Sequence, residues 1–149
     1  MNDKAFFAIF PFMFIGMWLL STTLMRWFSG WASLQERFPD RDGALLKRVF
    51  LPSGMLGKGS LWNPWGNVNY GNTLRLEICP SGLRVALWRV FGLFSKPFFV
   101  PWKFIAVEER RILFMRIYRL SFGDSNLSAL KIGRRTFSKI EQLGFLKAP

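Results

Sequence analysis

The stretch that decides the fold of this chain is TLRLEICPSGLRVALW, residues 73–88. Apolar and polar residues alternate in both halves, and the sequence Pro80-Ser81-Gly82 between them is typical of a turn. The alternating apolar positions are Leu74, Leu76, Ile78, Leu83, Val85 and Leu87. This pattern predicts a hairpin of two antiparallel strands whose apolar side chains share one buried face.

The chain that follows the hairpin continues with strand patterns and then changes period. Three more strands are predicted, at residues 102–107, 112–122 and 127–132. A charged turn at residues 108–111 and a second turn at 124–126 separate them. Residues 134–143 carry apolar side chains three apart, and Gly144 is placed to cap a helix. We therefore expect a mainly β (α+β) domain, a small antiparallel barrel or sandwich capped by one C-terminal helix.

The chain before the hairpin is less regular. Residues 45–51 are a short apolar run that predicts a first strand of unclear phase. Residues 52–72 are rich in glycine and predict either a long loop or two short irregular strands. Pro39 and the turn-forming residues 40–43 mark the start of the β domain, which we expect to span residues 39–149.

A long stretch without charged residues, residues 5–25, precedes this domain. As a helix it would be about 31 Å long, close to the hydrocarbon thickness of a bilayer. It lacks the cleavage-site pattern of a signal peptide, which is the main alternative, and the polar face of a buried soluble helix. We expect residues 1–38 to form one transmembrane anchor, whose helix extends out of the membrane through residues 29–38.

Cationic and aromatic residues directly follow the uncharged stretch. Such a cluster is typical of the headgroup level of a bilayer. The predicted membrane-interface residues are Arg26, Trp27, Phe28 and Trp31.

Basic residues set the expected orientation. Residues 39–149 hold 18 lysines and arginines against 7 acidic residues, a net charge of +11. Lys4 alone precedes the uncharged stretch, whereas Arg26, Arg37 and Arg41 follow it. Because basic residues that flank a span favour the cytoplasmic side, we expect the β domain in the cytoplasm and the N-terminus outside. A basic domain there is attracted to anionic lipids.

The composition argues against several kinds of chemistry. The 149 residues contain no histidine and one cysteine, Cys79. This composition therefore excludes nucleophiles paired with histidine, zinc sites that use histidine or several thiolates, and internal disulfides. The adjacent Glu108 and Glu109 point to opposite faces of a strand and make a poor acid–base pair. We expect no enzyme activity, no cofactor and no metal.

Nucleic acid is a further candidate partner, because basic residues interleaved with aromatic rings can bind single strands. No recognisable nucleic-acid motif is present, however. Attraction to an anionic leaflet already accounts for the positive charge of the domain. Nucleic acid is therefore not an expected partner.

One segment, residues 88–104, combines many aromatic rings with basic residues. Two interpretations are possible: the rings fill the core of the domain, or they contact lipid or a partner. Both are correct if alternate rings face opposite sides. The predicted partner- or lipid-contact residues are Trp88, Arg89, Phe91, Phe94, Lys96, Phe98, Phe99, Trp102 and Lys103.

Several short motifs carry a resemblance. They are Ser29-Gly30-Trp31 after the anchor, Gly82-Leu83 at a strand start, Phe91-Gly92-Leu93-Phe94, and the run KPFFVPWKFI at residues 96–105. With the strand and helix order, they resemble small, uncharacterised bacterial single-pass membrane proteins with a pleckstrin-homology-like C-terminal domain. The chain departs from that group at Lys96-Pro97-Phe98, where the group has a His-Pro-Pro-like turn. The resemblance implies a fold but no activity.

Two functions are consistent with these features. In the first, the protein is a non-catalytic accessory subunit of a larger membrane protein complex, and its basic domain docks on a partner or on the leaflet. In the second, it is a free membrane-tethered module that binds anionic lipid headgroups. The excess of aromatic residues for so small a domain favours the first.

Overall fold

A computed structural model of the chain describes residues 2–41, 43–51, 54–58, 67–91, 95–123 and 127–147. The helices are α1 (Asp3–Phe28), α2 (Trp31–Arg37) and α3 (Arg134–Glu141). The strands are β1 (Lys47–Phe50), β2 (Gly54–Gly57), β3 (Asn67–Asn69), β4 (Leu74–Cys79), β5 (Gly82–Leu87), β6 (Phe98–Pro101), β7 (Ile105–Ile112), β8 (Met115–Phe122) and β9 (Ala129–Gly133). The expected α+β fold, with one N-terminal helix, a β domain and a C-terminal helix, is confirmed.

The N-terminal helix is long and apolar enough to cross a membrane. α1 contains 26 residues, includes Pro11, and has no residue buried against the rest of the described chain. At 1.5 Å per residue it is about 39 Å long, which exceeds the roughly 30 Å hydrocarbon core of a bilayer.

The predicted hairpin lies in the middle of a four-stranded antiparallel sheet with the order β1-β4-β5-β6. Leu76 lies opposite Val85 and Ile78 opposite Leu83 in the β4–β5 register. All the alternating apolar residues of β4 and β5 are buried, so the predicted hairpin and its buried face are confirmed.

A second antiparallel sheet, with the order β3-β2-β9-β8-β7, packs against the first. It corrects two predictions about residues 102–122. Residues 102–104 form a short 3-10 turn, and the strand that follows runs through the expected charged turn to Ile112. The chain then reverses at Leu113, which has φ 53°, so residues 112–122 are not one strand. The turn residues are Leu113 and Phe114, neither of which is a typical turn former.

The two short strands β2 and β3 lie in the glycine-rich segment and belong to the second sheet. Gly54, the first residue of β2, lies against the side chain of Leu74, where an added Cβ would lie 2.9 Å from Leu74 Cδ1. A larger residue at this position would therefore have to displace the end of the Leu74 side chain.

One core fills the space between the sheets and includes residues of α2 and α3. The ring of Phe137 stacks on Tyr118 at 4.0 Å between centroids, which attaches α3 to β8. The helix ends at Glu141, two residues earlier than predicted. Gly144 follows with φ 79°, and its amide donates to the carbonyl of Glu141.

On its outer face the first sheet carries a charged cluster around Glu77. Arg48, Arg75 and Arg84 approach this carboxylate at 3.2–3.3 Å, and the Glu77 side chain is only 7% exposed. Arg84 also binds Asp40 at 2.6 Å, which ties the segment after α2 to the sheet and raises the pKa of the guanidinium. Glu77 and Asp40 thus offset part of the positive charge of three arginines that would otherwise repel one another.

The substitution Glu77→Gln is therefore expected to destabilise the β domain by about 2 kcal/mol, because it leaves three neighbouring arginines without their shared carboxylate. Urea unfolding of the full chain in a neutral detergent, followed by circular dichroism, measures the loss. The control is Glu108→Gln, since the half-exposed Glu108 contacts arginines only at 3.7–3.8 Å and should change stability by about 0.5 kcal/mol or less. Equal effects of the two substitutions would show that the cluster has no special role.

Candidate membrane-facing site

The helix α1 ends in a glycine turn. Gly30 has φ 72°, and the amides of Ser29 and Gly30 donate to the carbonyls of Met25 and Trp27 at 3.0 and 3.2 Å. Glycine-capped helices end in this way. The expected continuation of the anchor helix through residues 29–38 is therefore wrong, because a separate helix begins at Trp31.

The same glycine lies against the β domain. A Cβ atom at Gly30 would collide with Oγ of Ser128, the residue before β9. Both the left-handed backbone and the close approach thus require glycine at this position.

Buried hydrogen bonds hold the end of α1 on the domain. The hydroxyls of Tyr70 and Ser29 lie 2.7 Å apart, and Tyr70 also donates to the carbonyl of Met25 at 3.3 Å. Ser128 Oγ donates to the carbonyl of Ser29 at 2.6 Å. Burial raises the pKa of the Tyr70 hydroxyl, so it keeps its proton and remains a donor at neutral pH. Residues on both sides of the turn are therefore attached to the β domain.

Trp31 is the centre of this attachment. Its side chain is 0% exposed, and its ring centroid lies 4.9 Å from that of Phe98. Its Nε1 donates to the carbonyl of Lys96 at 2.9 Å. The prediction that Trp31 lies at the membrane interface is wrong. The spacing of Trp31, Leu34 and Phe38, all three buried, is that of one helix face and could have revealed the packing of α2.

The other three predicted interface residues lie in the last turn of α1. Trp27 is 78% exposed and Phe28 is also exposed, so both rings are free to contact lipid. The guanidinium of Arg26 is half-buried and donates to Gln35 Oε1 at 3.5 Å, which links α1 to α2 at the same level.

Segment 88–104 divides between the core and the surface. Phe98 and Phe99 are buried, so for these two rings the prediction of lipid or partner contact is wrong. Trp102 is half-buried, stacks on Phe145 at 5.1 Å and donates from Nε1 to the carbonyl of Cys79 at 3.0 Å. Phe94 lies outside the described residues. The predicted contact residues of this segment that are exposed are Trp88, Arg89, Phe91, Lys96 and Lys103.

The exposed rings of this segment lie beside the end of the anchor. Phe91 lines a small cleft of about 150 Å³ together with Thr22 and Met25 of α1. A neighbouring, more open concavity is lined by Phe50, Trp88 and Phe91. We name Phe50, Trp88 and Phe91 the juxtamembrane patch, since this apolar surface is continuous with the last turns of α1.

Phe50 was not among the predicted site residues. It is exposed because β1 alternates, with Val49 and Leu51 facing the core. The sequence alone does not show which face of the strand Phe50 occupies, because basic residues interrupt the apolar run before it.

The described residues offer little for catalysis. Within them, no group of three or more His, Cys, Asp or Glu side chains is placed to hold a metal ion. The thiol of Cys79 is buried, and burial raises its pKa, which disfavours the reactive thiolate.

Comparison with protein-family models, with curated proteins and with solved structures finds no match to this chain.

The substitution Gly30→Ala is expected to weaken the attachment of the anchor and to destabilise the β domain by about 2–3 kcal/mol, because alanine is strained at positive φ and its Cβ meets Ser128. Urea unfolding in a neutral detergent measures the change. Gly16→Ala is the matched control in α1, since nothing lies within 4 Å of a Cβ there, and it should leave stability unchanged.

A double variant separates the two causes. Ser128→Ala removes both the colliding Oγ and its hydrogen bond to the carbonyl of Ser29. It should therefore destabilise the chain clearly when Gly30 is present, and less or not at all in the Gly30→Ala background, where it also relieves the collision. No loss of stability in Gly30→Ala would contradict the described junction.

Proposed function

We propose that the protein is a non-catalytic single-pass membrane protein whose basic β domain is held on the cytoplasmic leaflet, where it acts as an accessory subunit of a larger membrane protein complex. The proposed location is a bacterial inner membrane, with the N-terminus outside. The proposed partners are membrane lipids and other integral membrane subunits, with no cofactor and no nucleic acid.

The observation that carries the proposal is the position of Phe91 beside Thr22 and Met25. The uncharged stretch of α1 ends at Met25, so in a membrane Met25 would lie near the boundary of the hydrocarbon core. Phe91 would then lie within the headgroup layer. Phe50 and Trp88 share its concavity and extend the same apolar surface along the leaflet.

Charge supports the same placement. Arg89 and Lys96 are exposed and lie in the chain on either side of Phe91, while Trp27 and Phe28 add exposed rings at the end of α1. Aromatic rings at headgroup level, together with basic side chains, favour binding to an anionic leaflet. Each well-placed basic residue contributes about 1 kcal/mol.

The surface of α1 supports an accessory role. Phe6, Phe10 and Phe14 form a ridge of neighbouring rings, with centroids 5.9 and 6.4 Å apart, and no α1 residue is buried within the described chain. In a membrane, helix association depends on side-chain packing rather than on water exclusion. A ridge of large rings offers such packing to the helices of a partner.

We also propose a pleckstrin-homology-like relationship for the β domain. Its support is the topology: the chain segment of β1 and β2 pairs with both sheets, β4, β5 and β6 follow in one sheet, and β7, β8 and β9 follow in the other before α3.

A second candidate function is a free lipid-binding module without protein partners. The juxtamembrane patch favours it, because this surface alone accounts for docking on an anionic leaflet.

Leaflet docking predicts different membrane depths for two spin labels in a Cys79→Ser background. A label at Val90→Cys, in the exposed turn between Trp88 and Phe91, should be protected from a water-soluble nickel reagent and accessible to oxygen. A label at Ser81→Cys should remain accessible to nickel, because Ser81 is at the opposite end of the six-residue strands β4 and β5, about 20 Å away. Power-saturation measurements on the full chain in anionic nanodiscs provide the test, and equal nickel access at both sites would contradict the docking.

The accessory role predicts a protein contact along the phenylalanine ridge. A photo-crosslinking residue at Phe10 should give a discrete adduct with an integral membrane protein in native membranes, and the same residue at Trp27 serves as the headgroup-level control. Crosslinks to lipid alone at Phe10 would favour the free lipid-binding module.

A further inference from the structure

A separate cleft lies at the end of α2, against the first sheet. It has a volume of about 270 Å³, and its walls include Phe38, Phe99 and Phe104. Three basic residues, Arg37, Arg41 and Lys103, line it as well. We call this site the basic cleft.

The cations of the basic cleft have no ion-pair partner among the described residues. Within that part of the chain, no acidic side chain lines the cleft, and none forms an ion pair with Arg37, Arg41 or Lys103. The nearby Asp40 binds Arg84 at 2.6 Å instead. Three positive charges therefore line one concave site, with no paired counter-charge among the residues that the structure describes.

Aromatic rings hold two of these cations in place. The Lys103 ammonium lies 5.0 Å from the ring of Phe104, and the Arg37 guanidinium lies 5.9 Å from the ring of Phe38. The two rings are themselves in contact, at 5.7 Å between centroids. Cation–π contacts orient the side chains, and apolar walls strengthen the attraction for an anion.

The size and charge of the basic cleft select the ligand. Its volume is just below the roughly 300–1,000 Å³ of pockets that enclose drug-sized molecules, so it suits a single small anionic group. Arginine forks match the oxygen atoms of a phosphate, and lysine adds a point charge.

We propose that the basic cleft is a phosphate-binding site whose ligand is a phosphate group, presented either by a lipid headgroup or by a small soluble molecule. Arg37, Arg41 and Lys103 are all exposed, so the cleft is open to a ligand from either source. This inference goes beyond the proposed function, because its three cations do not belong to the juxtamembrane patch.

The test uses the full chain in a neutral detergent and two probes, inorganic phosphate and dioctanoyl phosphatidic acid, each titrated by calorimetry. The cleft variant combines Arg37→Gln, Arg41→Gln and Lys103→Gln. The control variant combines Arg111→Gln, Lys139→Gln and Lys147→Gln, which are exposed residues outside the cleft and remove the same net charge.

The cleft variant is expected to bind at least tenfold more weakly than the wild type, while the control variant stays within twofold. The single substitution Lys103→Gln, which minimises disturbance of the fold, should weaken binding at least threefold. Binding of phosphatidic acid alone would identify a lipid headgroup as the source, and binding of inorganic phosphate would identify the phosphate group itself as sufficient.

Two results would overturn the site: no binding of either probe at millimolar concentration, or equal weakening in the cleft and control variants. Neither result depends on the depth of the label at Val90, so failure of the phosphate site and failure of leaflet docking are distinguishable.

Discussion

The turn at Ser29 and Gly30 is the constraint on which the arrangement of helix and domain depends. Gly30 reverses the helical path with φ 72° and touches Ser128, where no Cβ has room. Trp31 follows directly and is fully buried beside Phe98. The long apolar helix α1 and the helix α2, which packs into the β core, are thus separated by only two residues, and neither can rotate without breaking the contacts of the other.

This short connection determines which surface of the domain lies beside the end of α1. Because Tyr70 binds the helix end at Met25 and Ser29, the neighbouring end of β4 and β5 is held beside α1. Phe91 and Trp88 follow β5 at that end. A flexible tether would let any face of the domain approach the end of α1, whereas the fixed junction places one apolar surface there.

Local patterns in the sequence predict the parts of the fold that depend on neighbouring residues. Alternation in β4 and β5 gives the hairpin and its buried face, and a three-residue spacing with Gly144 gives α3. The turn at Leu113 was missed because neither Leu113 nor Phe114 is a usual turn residue. The sequence pattern predicts Trp31 at the membrane interface, because a tryptophan that follows an apolar span is typical of that level. Its burial instead depends on packing against Phe98, which is distant in the sequence. For the same reason the basic cleft, which joins Arg37 and Arg41 to Lys103, could not be predicted from the sequence.

The most direct test of the fixed junction is a distance measurement between the helix and the domain. Spin labels at Leu20→Cys in α1 and Ser81→Cys in the β domain, in a Cys79→Ser background, are measured by double electron–electron resonance in anionic nanodiscs. A variant with a Gly-Ser-Gly-Ser insertion after Gly30 provides the flexible reference. The fixed junction predicts a single narrow distance peak in the chain without the insertion. A distribution as broad as that of the insertion variant would contradict it.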